Sequence, residues 1–339
     1  MENGCNLCGV NFTLHEEGFI YLEGKSGDGL LEAIPGRIEN DKGVFIEYHS
    51  MAELSRQIDI LSLLPEADTF QSTLLKKLEE PFTTYPYREI RARISNNETV
   101  QIIQSTDFMG YFQPIVLLRD NSLFAYESLL RDPLGRVSPG QLFRVAQETG
   151  MHSLLDQKAR ETAIKSRGGK IKNGIKSFIN FLPSTIYNPE YCLRHTFQIV
   201  ERYGVTPEDL VFEVVETEKI EDIGHLQKIF RTYKNQGMGV ALDDFGEGYS
   251  TLDVMVELQP DYVKIDRSKI MNCDSDSGKQ EFLKNVVHIA RELNIQTLAE
   301  GIERMEELQF CKDIGMDLAQ GYLIGRPEAE PAFKETALK

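Results

Sequence analysis

The chain has no tryptophan and little of three other things: positive charge, cysteine and long apolar runs. Its 37 Lys and Arg face 53 Asp and Glu, a net charge of −16. Phosphate backbones are held by Lys and Arg, so this balance argues against a general DNA or RNA binder. It leaves room for phosphate chemistry at one place, provided metal cations reverse the local sign. No apolar run approaches the length of a membrane span, and no signal-peptide pattern opens the sequence, so no membrane segment is expected. Five cysteines lack the spacing of a disulfide framework, which points to a reducing, cytoplasmic setting. Neither the dinucleotide glycine fingerprint nor the phosphate-loop motif is present.

What the chain does have is a series of eight short apolar runs, from about Gly110 to Leu323. They are GYFQPIV with Gln113, FAYESLL with Glu127, SFINFL with Asn180, LVFEVVE with Glu213, GVALDDF with Asp243 and Asp244, DYVKID with Lys264 and Asp266, IQTLAE with Glu300, and LAQGYLI with Gln320. Nearly every run carries or ends on a polar side chain able to bind metal or phosphate. Carboxylates are depleted in strands and rarely buried without a partner. A set of them at successive strand ends argues for one shared site.

The intervals read as helices. SPGQLFRVAQETG opens on Ser138 as N-cap and closes on Gly150. IGHLQKIFRTYKNQG ends on Gly237, GKQEFLKNVVHIARELN on Asn294 and RMEELQFCKDIG on Gly315. Strands alternating with such helices require parallel pairing with helical crossovers. Eight strands in roughly 220–230 residues suit a closed α/β barrel of the (β/α)8, TIM-like kind, whose strand ends converge in one mouth. An open doubly wound sheet is the alternative, and it would scatter these side chains along a crevice.

Upstream of a boundary near Ser95–Glu98, GFIYLEG and GVFIEYH alternate like strands, and AELSRQIDILSLL and TFQSTLLKKLEE read as helices. PFTTYPYREIRARISNNETV reads as Pro- and Asn-containing connecting sequence. The expected division is a small α+β module over residues 1–95 and a barrel over 96–339. Cys5 and Cys8 resemble half a zinc knuckle, but no second pair follows at matching spacing, so two free thiols are expected.

Within the barrel, Asp243 and Asp244 end one strand, placing one acid inward and one at the rim. Adjacent acids before glycine are also ordinary turn chemistry. Glu127, Asn180 and Glu213 are lone polar residues in apolar strands. Together with Asp243 they make an all-oxygen shell, which favours Mg2+ or Mn2+ over zinc. Lys264 and Asp266 share one strand face by alternation. Glu300 is placed for a metal ligand or a general base. Arg131 sits past its strand, where a guanidinium can fork onto a phosphate, or form a surface ion pair.

These residues resemble the motifs of the EAL-domain cyclic-di-GMP phosphodiesterases. ESLLR stands at the signature that names the family. QPI, FINFLP, FEVVETE, DDFGEGYSTL, VKIDR, AEGIE and QGYLIG follow in the family's order, over about Val100 to Pro327. The resemblance implies a (β/α)8 barrel whose first strand runs antiparallel to the rest, and hydrolysis of cyclic di-GMP to linear pGpG. It implies a first metal on Glu127, Asn180, Glu213 and Asp243, and a second on Asp243 and Asp244 with Glu300 nearby. Lys264 would orient the hydrolytic water, and Glu300 is a candidate base. Gln113, Arg131, Asp266 and Gln320 would contact substrate or brace the site. Glu216 would anchor the DDFGEGYS loop beside a homodimer contact. Mg2+ or Mn2+ would support turnover and Ca2+ would inhibit it. Ser128, Leu182, Val215 and Glu247 depart from the usual pattern without removing a metal ligand. A catalytically silent receptor for the same ligand is the competing reading. Such proteins usually lose metal carboxylates, and here all are present.

Overall fold

The structure, a computed structural model, describes residues 14–23, 37–64, 67–214, 222–246 and 252–333. The chain forms two compact units, one from residues 1–106 with 136–155 and one from 107–135 with 156–339. The expected division at 95/96 differs from this grouping, which adds 96–106 and 136–155 to the first unit.

The first unit holds an antiparallel sheet of β1 (Gly18–Glu23), β2 (Arg37–Glu39), β3 (Gly43–Tyr48), β4 (Gln71–Leu75) and β5 (Tyr85–Pro86), in the order β2-β3-β1-β4-β5. Alternation aims Ile20, Leu22, Val44, Ile46 and Tyr48 at one face. There they meet Leu54, Ile58 and Leu61, spaced for one stripe of α1 (Met51–Leu61). Ser50 caps that helix by accepting from the Glu53 amide. Three further helices belong to this unit: α2 (Tyr87–Ser95), α3 (Asn97–Ser105) and α4 (Pro139–Glu148).

Two expectations for this region are corrected. TFQSTLLKKLEE contains β4 rather than a helix, because Phe19–Glu23 pair with Gln71–Leu75 and bury Ser72, Thr73 and Leu74. The stretch around PYREIRARISNNETV is helical. Pro86 sits at the N-cap of α2, where its missing N–H costs nothing, and Asn96 separates α2 from α3.

The second unit is a closed barrel of β6 (Met109–Leu117), β7 (Leu123–Arg131), β8 (Lys176–Phe181), β9 (Leu210–Val214), β10 (Gly239–Phe245), β11 (Tyr262–Ile265), β12 (Gln296–Ala299) and β13 (Leu318–Gln320). β6 pairs antiparallel with both β7 and β13, and every other pair is parallel. The inversion implied by the resemblance is therefore present. The helices following in chain order are α5 (His152–Arg167), α6 (Pro189–Cys192), α7 (Arg194–Arg202), α8 (Ile223–Lys234), α9 (Leu252–Leu258), α10 (Arg267–Ile270), α11 (Ser277–Glu292) and α12 (Met305–Asp313).

Each strand turns one face outward and one inward. Outward residues such as Ile179, Phe212, Val240, Val263 and Ala319 pack with helix residues including Ile229, Val286 and Leu308 in one large core. Inward, Ile115, Ala125, Phe178, Val211, Ala241, Tyr262, Leu298 and Leu318 form a separate apolar cluster, one residue from each strand. This cluster fills the barrel as a floor, in the way layered side chains fill such barrels.

Candidate active site

The site follows from strand periodicity. Side chains two residues apart share a face. Two residues beyond each floor residue, towards the mouth, stand Gln113, Glu127, Asn180, Glu213, Asp243, Lys264, Glu300 and Gln320. On the inverted strand β6 the step runs backwards, from Ile115 to Gln113, and Gln113 pairs with Glu127 across the ladder. An apolar ring thus carries a polar ring directly above it, with one member per strand position.

Lys264 is the hub. Its Nζ lies 2.8 Å from Asp243 Oδ1, 2.9 Å from Glu300 Oε1, 3.0 Å from Glu213 Oε2 and 4.0 Å from Glu127 Oε1. Asn180 Nδ2 donates to Glu127 Oε1 at 3.2 Å, and Gln320 Nε2 donates to Glu127 Oε2 at 2.7 Å. Gln113 Nε2 donates to the Gly325 carbonyl at 3.3 Å.

One ammonium faces four carboxylates in a buried pocket. Burial favours the neutral amine of Lys264, but Asp243, Glu127, Glu213 and Glu300 outweigh it and hold its pKa well above the ordinary lysine value. Burial, with Asp243 and Glu127, pushes Glu300 well up. Burial also pushes Glu213 well up, with Glu127 and Asp243 adding to it against the pull of Lys264. Burial raises Asp243 as well, against Lys264. Glu127 behaves differently. Burial pushes it up too, but Lys264 and the bonds from Gln320 and Asn180 prevail and hold it below the ordinary range.

Asp243 and Asp244 need a special backbone to serve one site, since neighbours on a strand face opposite ways. The pairing of β10 with β11 slips between Leu242 and Phe245, and Asp244 takes a left-handed φ of 52°. The Asp244 amide donates to Asp243 Oδ1 at 3.0 Å. As a result, oxygens of Asp243, Asp244 and Glu300 all lie within 4.8 Å of one another.

The residues fit divalent metal. The donors are oxygens of Asp, Glu and Asn, with no His or Cys in the ring, a set that suits Mg2+ or Mn2+. Glu213 is fully buried, yet neither of its carboxylate oxygens is in a hydrogen bond of good geometry. Its Oε2 touches Lys264 only as an ion pair, and Oε1 has no donor at all. With Lys264 facing only Oε2, the buried Oε1 keeps unused acceptor capacity that a second cation would satisfy.

The remaining predicted residues sit outside the ring. Asp266 follows the end of β11 at Ile265 and caps α10, accepting from the Ser268 amide at 2.7 Å. Arg131 is the last residue of β7 rather than beyond it. It lies over the Tyr111 ring at 5.4 Å and donates to the Leu130 carbonyl. Glu216, Val215 and Glu247, like Cys5 and Cys8, fall outside the described residues. Three residues that the strand pattern did not single out line a cleft of about 200 Å³ with Gln113, Glu127, Glu300 and Gln320. They are Arg267, Glu303 and Tyr322. Arg267 pairs with Glu303 at 2.9 Å, and Arg326 backs the half-exposed Tyr322 ring at 4.2 Å. Their signal was positional: each lies within three residues of a ring member, just past the end of its strand.

The EAL domain family matches residues 96–327, more than half of the chain, and the protein belongs to that family. It is 32% identical over 254 residues to the probable cyclic di-GMP phosphodiesterase PdeG of Escherichia coli (strain K12), covering 71% of this chain and 47% of that protein. The chain thus spans about half the length of this relative, and 34% of MucR from Pseudomonas aeruginosa. Among solved structures it resembles the c-di-GMP-bound form of a standalone versatile EAL protein from Vibrio cholerae O395. That match has 35% identity, TM-score 0.63 and covers 69% of this chain and 99% of that one. Klebsiella pneumoniae BlrP1, 22% identical with TM-score 0.62, shares the fold over 92% of this chain and 96% of its own. No helix among the described residues is long and apolar enough to cross a membrane.

Proposed function

We propose that this protein is a cyclic-di-GMP phosphodiesterase that hydrolyses one phosphodiester to give linear pGpG. The observation that carries this reading is the polar ring above the barrel floor, where four carboxylates surround Lys264. PdeG and the Vibrio protein, whose descriptions name a cyclic di-GMP phosphodiesterase and a c-di-GMP-bound form, support it.

Glu127, Asn180, Glu213 and Asp243 would hold one Mg2+ or Mn2+, and Asp243, Asp244 and Glu300 a second. Bound there, the ions supply Lewis acidity towards phosphoryl oxygens and activate water near neutral pH. The chain's residues do the rest. Lys264, kept charged by its neighbours, donates to the attacking water or a phosphoryl oxygen and fixes its direction. Glu300 accepts the proton of that water. Water's oxygen bonds to phosphorus as one ribose oxygen leaves, and the proton balance closes on that leaving oxygen. Gln113, Gln320 and Arg131 orient the ligand, and Asp266 acts by holding α10, which carries Arg267. Glu216 anchors the loop after Asp244 next to a homodimer contact, and residues 1–95 form an appended module.

Product analysis after incubation with cyclic di-GMP and Mn2+ tests this. Linear pGpG is the expected product. Tight binding of intact ligand with no turnover would make the chain a receptor instead.

A further inference from the structure

A buried ion pair lies outside the polar ring and is unused by the chemistry above. Asp156 and Arg160, one turn apart on α5, are 2% and 3% exposed. Arg160 Nη2 and Nε donate to Asp156 Oδ2 at 2.7 and 3.1 Å, and Arg160 Nη1 donates to Thr196 Oγ1 on α7. A salt bridge this deep is a poor device for stability alone, since desolvating both charges offsets most of their attraction. Its other contacts show where it acts.

Among the described residues the last ladder pair of β8 joins Phe181 to Val214, and the next amide, Leu182, has no strand partner. It donates to Asp156 Oδ1 at 2.9 Å. Three residues on, Thr185 Oγ1 lies 2.9 Å from Asp156 Oδ2 and 2.7 Å from the Leu182 carbonyl. Both oxygens of one buried carboxylate thus clamp the turn 182–185. That turn begins two residues after Asn180, which projects towards Glu127.

We infer that Asp156 is a positioning residue for Asn180: through Leu182 and Thr185 it fixes the exit of β8 and so the direction of the Asn180 amide in the metal shell. The inference rests on the metal site of the proposed function. Outer partners of metal ligands commonly set affinity by a factor of about 10–100 when removed. Here the effect passes through the backbone, so the low end applies.

The test uses the full chain and calorimetric titration with Mn2+ in the absence of nucleotide. Asp156→Asn and Thr185→Val are compared with wild type, and Thr185→Ser serves as the conservative rescue. Thr185→Val loses one clamp bond without stranding Arg160, so it decides the matter if Asp156→Asn does not fold. Expected is Mn2+ binding weakened about tenfold in Thr185→Val and restored in Thr185→Ser. Cyclic-di-GMP turnover should fall at limiting Mn2+, with KM for the nucleotide nearly unchanged at saturating Mn2+. A folded Thr185→Val chain with wild-type Mn2+ affinity overturns the positioning role, whatever its melting temperature. A wild-type chain that binds no Mn2+ overturns the metal reading itself, and this inference with it.

Discussion

Two rings of side chains, built on the same eight strands and two residues apart, have opposite characters. The floor ring is apolar and fully packed, with Phe178 and Tyr262 in edge contact at 5.1 Å. The ring above it collects carboxylates that repel one another around Lys264. The comparison teaches that one backbone can separate stability from chemistry by a single step of strand period. The floor tolerates the strain above it, because close packing there does not depend on what the upper ring carries.

The comparison can be broken most severely by removing metal. Chelation should reduce hydrolysis to background, with Mg2+ or Mn2+ restoring it. Ca2+, which takes longer bonds and more ligands, should retain substrate without turnover. Full activity in excess chelator would sink the two-metal assignment. Next comes Glu127→Ala, in the upper ring. Turnover should fall about a hundredfold or more, while the melting temperature holds. Near-wild-type turnover would make Glu127 a structural strand residue. Phe178→Ala strikes the floor instead, and should cost about 3–5 kcal/mol in chemical denaturation. If it cost little, the lower ring would not be the packed floor described.

The smallest effect sharpens the contrast through pH. Glu213 has a folded pKa above its unfolded value, so the folded state binds protons more readily than the unfolded state. Its contribution to stability therefore falls as pH rises through the window between the two values. Metal-free protein should gain stability from this group on acidification towards the ordinary carboxylate range. Glu213→Gln should remove that gain and raise the melting temperature at neutral pH by a small margin. An unaltered pH profile in the variant would show that Glu213 is not the strained member.

Much of the barrel could be read in the sequence because its signals are local. Gly150, Gly237 and Gly315 each close a helix with positive φ, and the polar residue in each run marks the mouth end of its strand. Gln113 is the exception, since β6 is inverted and no local pattern tells direction. The first unit was harder. Leu74 and Leu75 before a Lys-Glu run look helical, and only pairing with distant β1 makes them a strand. The capping role of Asp266 was not legible either: alternation in VKID is real, but β11 ends at Ile265 and the Asp266 side chain accepts from the Ser268 amide at the start of α10. Asp156 was invisible because a carboxylate in an amphipathic helix looks like solvated surface until the turn at Leu182 arrives beside it.

The first compact unit is made from two separate stretches of chain, and that has a consequence for how such a protein is assembled over time. Arg93, in α2, donates from Nε to the Thr149 carbonyl at 2.7 Å, and the Glu89 carboxylate fills the space beside Gly150. Thr149 and Gly150 lie between Glu127 and Asn180 in the sequence. The leading segment is therefore not a free cassette. Exchanging residues 1–95 for another module must also supply a new neighbour for Thr149 and Gly150, so the incoming partner is selected by a turn that the recipient already carries.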